Sequence, residues 1–309
     1  MTDAMIRVQD LRKAYGSTVA VDDISFDVAE GEIFGILGPN GAGKTTTVES
    51  VAGLRRGDAG SVRVAGIDPW SDRDALTRVL GVQLQDSQLQ PRLLVREALE
   101  LWTAFYDDPF PWRQLAERLG LTPHLDQRFA NLSGGQQQRL AIALALVGRP
   151  RVVILDELTT GLDPRARRDA WGLVRDVRDS GVTVVLVTHA MEEAQHLCDR
   201  VAIIDAGTVR AIDSPEGLVR GAAAATVMSF APGRALPLEE LAARSGAARV
   251  RLAGERVVVE GDDEAVLAAL HWLGSHGVVP HGLRVVDGSL DDAYLDLTRP
   301  ALRQEAEVL

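Results

Sequence analysis

The sequence predicts an α/β fold around a parallel sheet, with an antiparallel β layer, a helical subdomain and a small α+β domain at the C-terminal end. Three observations carry this reading. Continuous apolar runs end in glycine-rich or acidic turns, as in parallel strands covered on both faces. Strands alternate with helical segments to about residue 215, the order of a parallel core. Beyond Gly221 the hydropathy pattern restarts as a second, smaller unit.

Taken in order, Ile6, Val8, Val19, Val21, Ile24, Phe26, Val28, Val62 and Val64 alternate with polar residues, the period of half-buried antiparallel strands. Ile33-Phe34-Gly35-Ile36-Leu37 is apolar throughout and reads as a strand buried on both faces. Val95, Ala98, Leu99, Trp102, Phe105 and Tyr106 recur at helical spacing, and Leu115 and Leu119 mark a second amphipathic helix. The three aromatics are assigned to the core of this helical subdomain. Leu140 to Val147 predicts a buried helix, and Val152–Leu155, Val182–Val187 and Val201–Ile204 predict three more buried strands. Gly221-Ala-Ala-Ala-Ala225 separates a domain at 1–220 from one at 221–309. The second domain reads as strand Thr226–Phe230, helix Leu238–Ser245, strands Arg249–Leu252 and Arg256–Glu260, helix Asp263–Ser275 and strand Leu283–Val286, a βαββαβ order. An amphipathic helix over Ser289–Leu297 is expected to dock on one of the two domains.

Composition narrows the function. A chain of 309 residues with 46% hydrophobic and 25% charged residues is globular in make-up. A net charge of -11 argues against a nucleic-acid footprint, so no nucleic-acid partner is expected and any bound anion must be held locally. The single cysteine, Cys198, fits a reducing cytosol and is expected to be buried packing. No apolar run is long enough to span a bilayer and the N-terminus lacks a signal-peptide core, so work at a membrane would need another, spanning chain. His271, His276 and His281 are five apart and share no helical face, which disfavours a metal site. Arg165, Arg167 and Arg168 read as a solvated helix face.

Against this background the lysines stand out, because Lys13 and Lys44 are the only two. Gly38-Pro39-Asn40-Gly41-Ala42-Gly43-Lys44-Thr45 fits G-x-x-x-x-G-K-[ST] between a predicted strand and a helix starting at Lys44. Gly38, Gly41 and Gly43 let successive N–H groups curl around phosphate oxygens. The helix N-terminus adds a favourable dipole, and Lys44 brings a point charge to the β and γ phosphates. Thr45 can ligand Mg²⁺, and Asn40 and Thr46 join the nucleotide-contacting set. Val152-Val153-Ile154-Leu155-Asp156-Glu157 delivers two carboxylates to a strand's C-terminal end, where ligands sit in open α/β sheets. Asp156 would hold the Mg²⁺ shell, and Glu157 is placed to activate water for attack on the γ phosphate.

Leu132-Ser133-Gly134-Gly135-Gln136 resembles the signature motif of ABC ATPases, and the family's other elements follow in the family's order. The resemblance spans residues 5 to about 215 and implies a P-loop ABC ATPase that hydrolyses ATP with Mg²⁺. It also implies residue roles. Tyr15 matches the aromatic that stacks on adenine, and Gln85 the glutamine that links Mg²⁺ and water to the helical subdomain. Asp163, in Gly161-Leu162-Asp163, matches the D-loop, and His189 matches the switch histidine that contacts the γ phosphate. Ser133, Gly134, Gly135 and Gln136 would close over ATP held by a facing second copy, giving a head-to-tail dimer; Ser133 can cap the following helix while the glycines expose N–H groups. Leu158 stands where the family usually has proline, and Leu94 where threonine is common. Neither change removes a ligand, but Leu158 would loosen the geometry around Glu157 and slow turnover.

The implied function is the ATP-hydrolysing subunit of a transporter, bound from the cytoplasmic side to a separate polytopic permease through the Q-loop and helical subdomain. The segment Ser289 to Thr298 resembles the ending of daunorubicin-type drug-exporter ATPases, which points to export of drugs or natural products. The alternatives are a soluble ABC ATPase acting on nucleic acid or ribosomes, and an ATPase for lipid or polysaccharide export. A small-molecule regulatory role for the C-terminal unit is a third reading.

Overall fold

In the computed structural model, residues 4–84, 89–221 and 226–298 are described. The alanine run at 222–225, read above as a linker, lies outside them. Contacts divide the chain into units Met1–Ile212 and Asp213–Leu309, eight residues earlier than the composition shift, because helix Pro215–Gly221 packs against the C-terminal helix of the second unit.

The first unit opens with strands β1 (Ile6–Tyr15) and β2 (Thr18–Val28), followed by β3 (Ile33–Leu37), helix α1 (Lys44–Val51) and β4 (Ala59–Val64). The alternating strands form the expected antiparallel layer, ordered β2-β1-β4. Helix α2 (Arg73–Val79), capped by Asp72, leads into β5 (Leu80–Gln83). Helices α3 (Val95–Thr103) and α4 (Trp112–Arg118) with two 3-10 turns make the helical subdomain. Val95, Ala98, Leu99, Leu115 and Leu119 are its buried stripe. The aromatic assignment needs correction at one residue: α3 ends at Thr103, so Phe105 leaves the helical register and is 70% exposed.

Helix α5 (Gly134–Leu146), β6 (Val152–Asp156), α6 (Pro164–Asp179), β7 (Thr183–Thr188), α7 (Met191–Leu197), β8 (Arg200–Asp205) and β9 (Thr208–Asp213) complete the unit. The main sheet runs β5-β6-β7-β3-β8-β9. Strands β5, β6, β7, β3 and β8 run parallel to one another, and β3, β6 and β7 are buried at every position. Edge strand β9 was not legible as a strand. It is half-exposed and returns from β8 through Ala206 and Gly207, both at positive φ, the geometry of a two-residue hairpin.

The second unit holds α8 (Pro215–Gly221), β10 (Thr226–Ala231), α9 (Leu238–Ser245), β11 (Arg249–Ala253), β12 (Arg256–Gly261), α10 (Asp263–Ser275), β13 (His281–Asp287) and α11 (Leu290–Thr298). Its sheet is ordered β11-β12-β10-β13 with every pair antiparallel, the arrangement a βαββαβ sequence produces when both helices cover one face. Met228 and Phe230 of β10, Val257 and Val259 of β12 and Trp272 of α10 share that core. Asp262 caps α10 and left-handed Gly246 ends α9. Among the described residues no helix is long and apolar enough to cross a membrane.

Candidate active site

Strand β3 delivers the glycine loop, and the loop has no conformational latitude at two points. Gly38 and Gly43 both have positive φ, and a Cβ there would lie 2.1 Å from the Ile204 carbonyl oxygen and 2.4 Å from that of Ala20. Only glycine fits such an approach of backbone to backbone. Lys44, the first residue of α1, is buried and donates from Nζ to the carbonyls of Gly38 (2.7 Å) and Pro39 (3.0 Å). Burial pushes its pKa below the ordinary lysine value, while Glu157 and Asp156 pull it back up. The ammonium is therefore within electrostatic reach of both acidic residues at the end of β6. Asn40, Gly41 and Thr45 are exposed on the rim and Thr46 is half-buried. The loop thus combines a helix N-terminus, turned backbone N–H groups and one fixed cation, which suits a polyphosphate.

Sheet order brings the remaining groups to that loop. Because β6, β7 and β3 are adjacent and parallel, Asp156 at the end of β6 and His189 and Gly38 just beyond β7 and β3 gather at the C-terminal ends of three neighbouring strands. Asp156 is 2% exposed. Glu157 turns sharply, at φ 50°, and its N–H donates to the Val187 carbonyl (2.8 Å). One of its carboxylate oxygens lies 3.2 Å from His189 Nδ1 and the other accepts from the Thr160 hydroxyl (3.4 Å). Leu158 is completely buried. Its apolar anchorage and the Glu157–Val187 backbone bond hold the turn that a proline was expected to stiffen.

The signature segment is a second helix N-terminus. Ser133 caps α5 by accepting from the Gln136 N–H (3.4 Å), and Gln136 Oε1 accepts from the Ser133 N–H (2.8 Å), a complete capping box. Gln136 Nε2 also sits 3.1 Å from His124 Nε2, so the glutamine faces its own subdomain. Ser133 and Gly134 are exposed and Gly135 half-buried. Asp163 caps α6, accepting from the N–H groups of Arg165 (2.9 Å) and Ala166 (3.0 Å), which hold its carboxyl below the usual range. A Cβ on Gly134 would sit 3.3 Å from Leu162, so the segment before Asp163 lies against the signature glycines.

Tyr15 is 41% exposed, as a base-stacking platform requires. Sequence reading missed its neighbour Arg55, whose guanidinium lies 5.3 Å from the ring centroid and is held by Glu49. Isolated charges after a helix give no signal of that kind. Gln85 lies outside the described residues. Gln83, on β5, is buried with Oε1 lacking a hydrogen-bond partner. Cys198 is buried and its thiol pKa is pushed well up.

Comparison with known proteins gives this arrangement its family. Residues 21–160 match the family model described as ABC transporter. Over 307 residues the chain is 37% identical to Nod factor export ATP-binding protein I of Burkholderia thailandensis, covering 96% of this chain and 98% of that one. The chain belongs to the ABC transporter ATP-binding family. A second relative with the same name, from Paraburkholderia xenovorans, is 39% identical over 78% of this chain and 82% of its own length. Among solved structures, the ABC cassette cbiO1 of Clostridium perfringens aligns with a TM-score of 0.64 at 27% identity, over 70% of this chain and 90% of that one. A dimeric ATP-binding cassette bound to ADP and Pi aligns with a TM-score of 0.61 at 29% identity, over 68% of this chain and 98% of its own. The protein is therefore the ATP-hydrolysing subunit of an ABC transporter.

Proposed function

We propose that this ABC ATP-binding subunit drives export of a natural product or drug through a separate membrane permease, working from the cytoplasmic face as a head-to-tail dimer. The single observation that supports the chemistry best is the meeting of Glu157, His189 and the Lys44 loop at the ends of three adjacent parallel strands. Support for export comes from relatives named for Nod factor export that match almost the whole chain, C-terminal unit included.

In this reading Tyr15 stacks on adenine, and Gly38, Asn40, Gly41, Gly43, Lys44, Thr45 and Thr46 hold the phosphates. Glu157 takes a proton from the attacking water, and His189, 3.2 Å away, orients that carboxylate and reaches the γ phosphate. Ser133, Gly134, Gly135 and Gln136 of the partner copy close the site, and Asp163 shapes the same interface by fixing the start of α6. A Mg²⁺ ion is usually held by one or two carboxylates together with phosphate oxygens. The buried carboxylate of Asp156 and the exposed hydroxyl of Thr45 fit that donor set, and Gln85 would complete it. Bound there, Mg²⁺ would neutralise charge on the β and γ phosphates. The unit Asp213–Leu309 serves as an accessory domain.

The test is co-expression with and without a candidate polytopic permease, followed by fractionation and transport in inverted vesicles with daunorubicin as the probe. The chain should enter the membrane fraction only with the permease, and the vesicles should accumulate daunorubicin with ATP but not with ADP. A chain that stays in the soluble fraction in both cases would overturn the transporter pairing. Membrane recruitment and ATP hydrolysis without accumulation would overturn drug export alone.

A further inference from the structure

Glu193, on the first turn of α7 and four residues beyond His189, is completely buried. A carboxyl out of water needs compensation, and here it is incomplete. Trp171 Nε1 donates to Oε1 (3.3 Å), while Oε2 is buried without a partner of hydrogen-bond geometry. Burial is the largest influence on the carboxyl and raises its pKa, outweighing the Thr188 and Thr159 hydroxyls and the Trp171 indole, which all favour the ionised form. The other charged or titratable groups around it are few among the described residues. Arg167 of α6 is the nearest cation and is engaged by Glu192 (3.4 Å). His196 stacks on Trp171, with ring centroids 4.8 Å apart, and the Cys198 thiol feels the charge of Glu193.

An apolar side chain would fill this space without stranding an oxygen. What the carboxyl adds is a common anchor for three segments. Trp171 belongs to α6, the helix capped by Asp163. Thr159 lies two residues beyond Glu157, and Thr188 immediately precedes His189. We propose that Glu193 is a positioning residue for ATP hydrolysis, holding the segments that carry Glu157, Asp163 and His189 in one register from behind the site.

The experiment uses the full chain with Glu193→Leu, which fills the space without polarity, Glu193→Gln, which keeps shape and hydrogen bonding, and Trp171→Phe, which removes the indole donor. ATP affinity, kcat, KM and the pH dependence of kcat are measured for each. Misplaced catalytic groups lower kcat while ground-state binding survives, so Glu193→Leu should lose about tenfold in kcat with ATP affinity within about twofold of wild type. Glu193→Gln should restore kcat to within about threefold. Wild-type kcat should carry a pH-dependent limb set by the raised pKa of Glu193. That limb should vanish in Glu193→Gln and move to higher pH in Trp171→Phe, because a donor to the ionised form is gone. Should the leucine variant not fold, the glutamine and phenylalanine variants still decide. The proposal is overturned if Glu193→Leu keeps kcat within about twofold, or if wild type, Glu193→Gln and Trp171→Phe share one pH profile.

Discussion

The molecule presents two helix N-termini rich in glycine, and they are built on opposite principles. In the phosphate loop the glycines are demanded by this chain's own backbone: a Cβ on Gly38 or Gly43 would collide with a carbonyl oxygen, and Lys44 is buried and tied to two further carbonyls. In the signature segment Gly134 and Gly135 have ordinary helical φ, and a Cβ on Gly135 would meet Ala166 at an unstrained 3.6 Å. Glycine at such positions costs about 1 kcal/mol of helix propensity relative to alanine. One loop is braced entirely within the chain and supplies its own cation. The other carries a cost that this chain does not recover, which fits a surface that something else must approach closely.

The strongest way to break this comparison is Glu157→Gln. Losing a positioned general base should slow hydrolysis about 10²- to 10⁴-fold while ATP binding survives. Because the open site would then close on an intact γ phosphate, light scattering of the mutant chain should show the paired state with ATP and not with ADP. A mutant that hydrolyses normally, or never pairs, would break the assignment.

Paired alanine substitutions test the two sets of glycines directly. Gly43→Ala should destabilise the fold by about 1–3 kcal/mol, since it forces strain into a loop that cannot shift. Gly135→Ala should leave the melting temperature unchanged or slightly raised, yet cut hydrolysis about tenfold or more by obstructing close approach. Thermal melts and steady-state ATPase assays separate the two outcomes. Equal destabilisation by both would erase the distinction.

Tyr15→Ala sharpens the view of the phosphate-loop site. Loss of base stacking should weaken ATP binding by about 1–3 kcal/mol, measured by calorimetry, with kcat at saturation little changed. The smallest effect concerns pH. Lys44 has a pKa below that of the unfolded chain, so between its depressed value and about 10.4 the folded state binds fewer protons and stability rises with pH. Phosphate affinity falls over the same window as the charge is lost. Melting temperature and ATP affinity should therefore slope in opposite directions in wild type, and both slopes should flatten in Lys44→Met.

Much of this was legible in the chain because it depends on local pattern. The helices Leu238–Ser245 and Asp263–Ser275 match their sequence assignment residue for residue, since an amphipathic period with Asp262 before one and Gly246 after the other fixes both ends locally. The phosphate loop and the Ser133 cap were readable for the same reason: their residue types are set by backbone geometry within a few positions. Phe105 misled because periodicity does not announce where a helix stops, and β9 was missed because a half-exposed edge strand has no apolar run.

The sequence by itself determined which residues could bind a phosphate, cap a helix or take a proton, and in what order the strands and helices occur. Only the tertiary structure decided that β6, β7 and β3 are neighbours, which brings Glu157 to 3.2 Å from His189 across 32 residues of chain. It also decided that Arg55 lies over Tyr15 and that Glu193 is buried among Trp171, Thr159 and Thr188. Those relations come from strand pairing and close packing between distant segments. A spacing along the chain encodes a turn or a helix face, but it cannot encode which remote side chain will fill the space beside it.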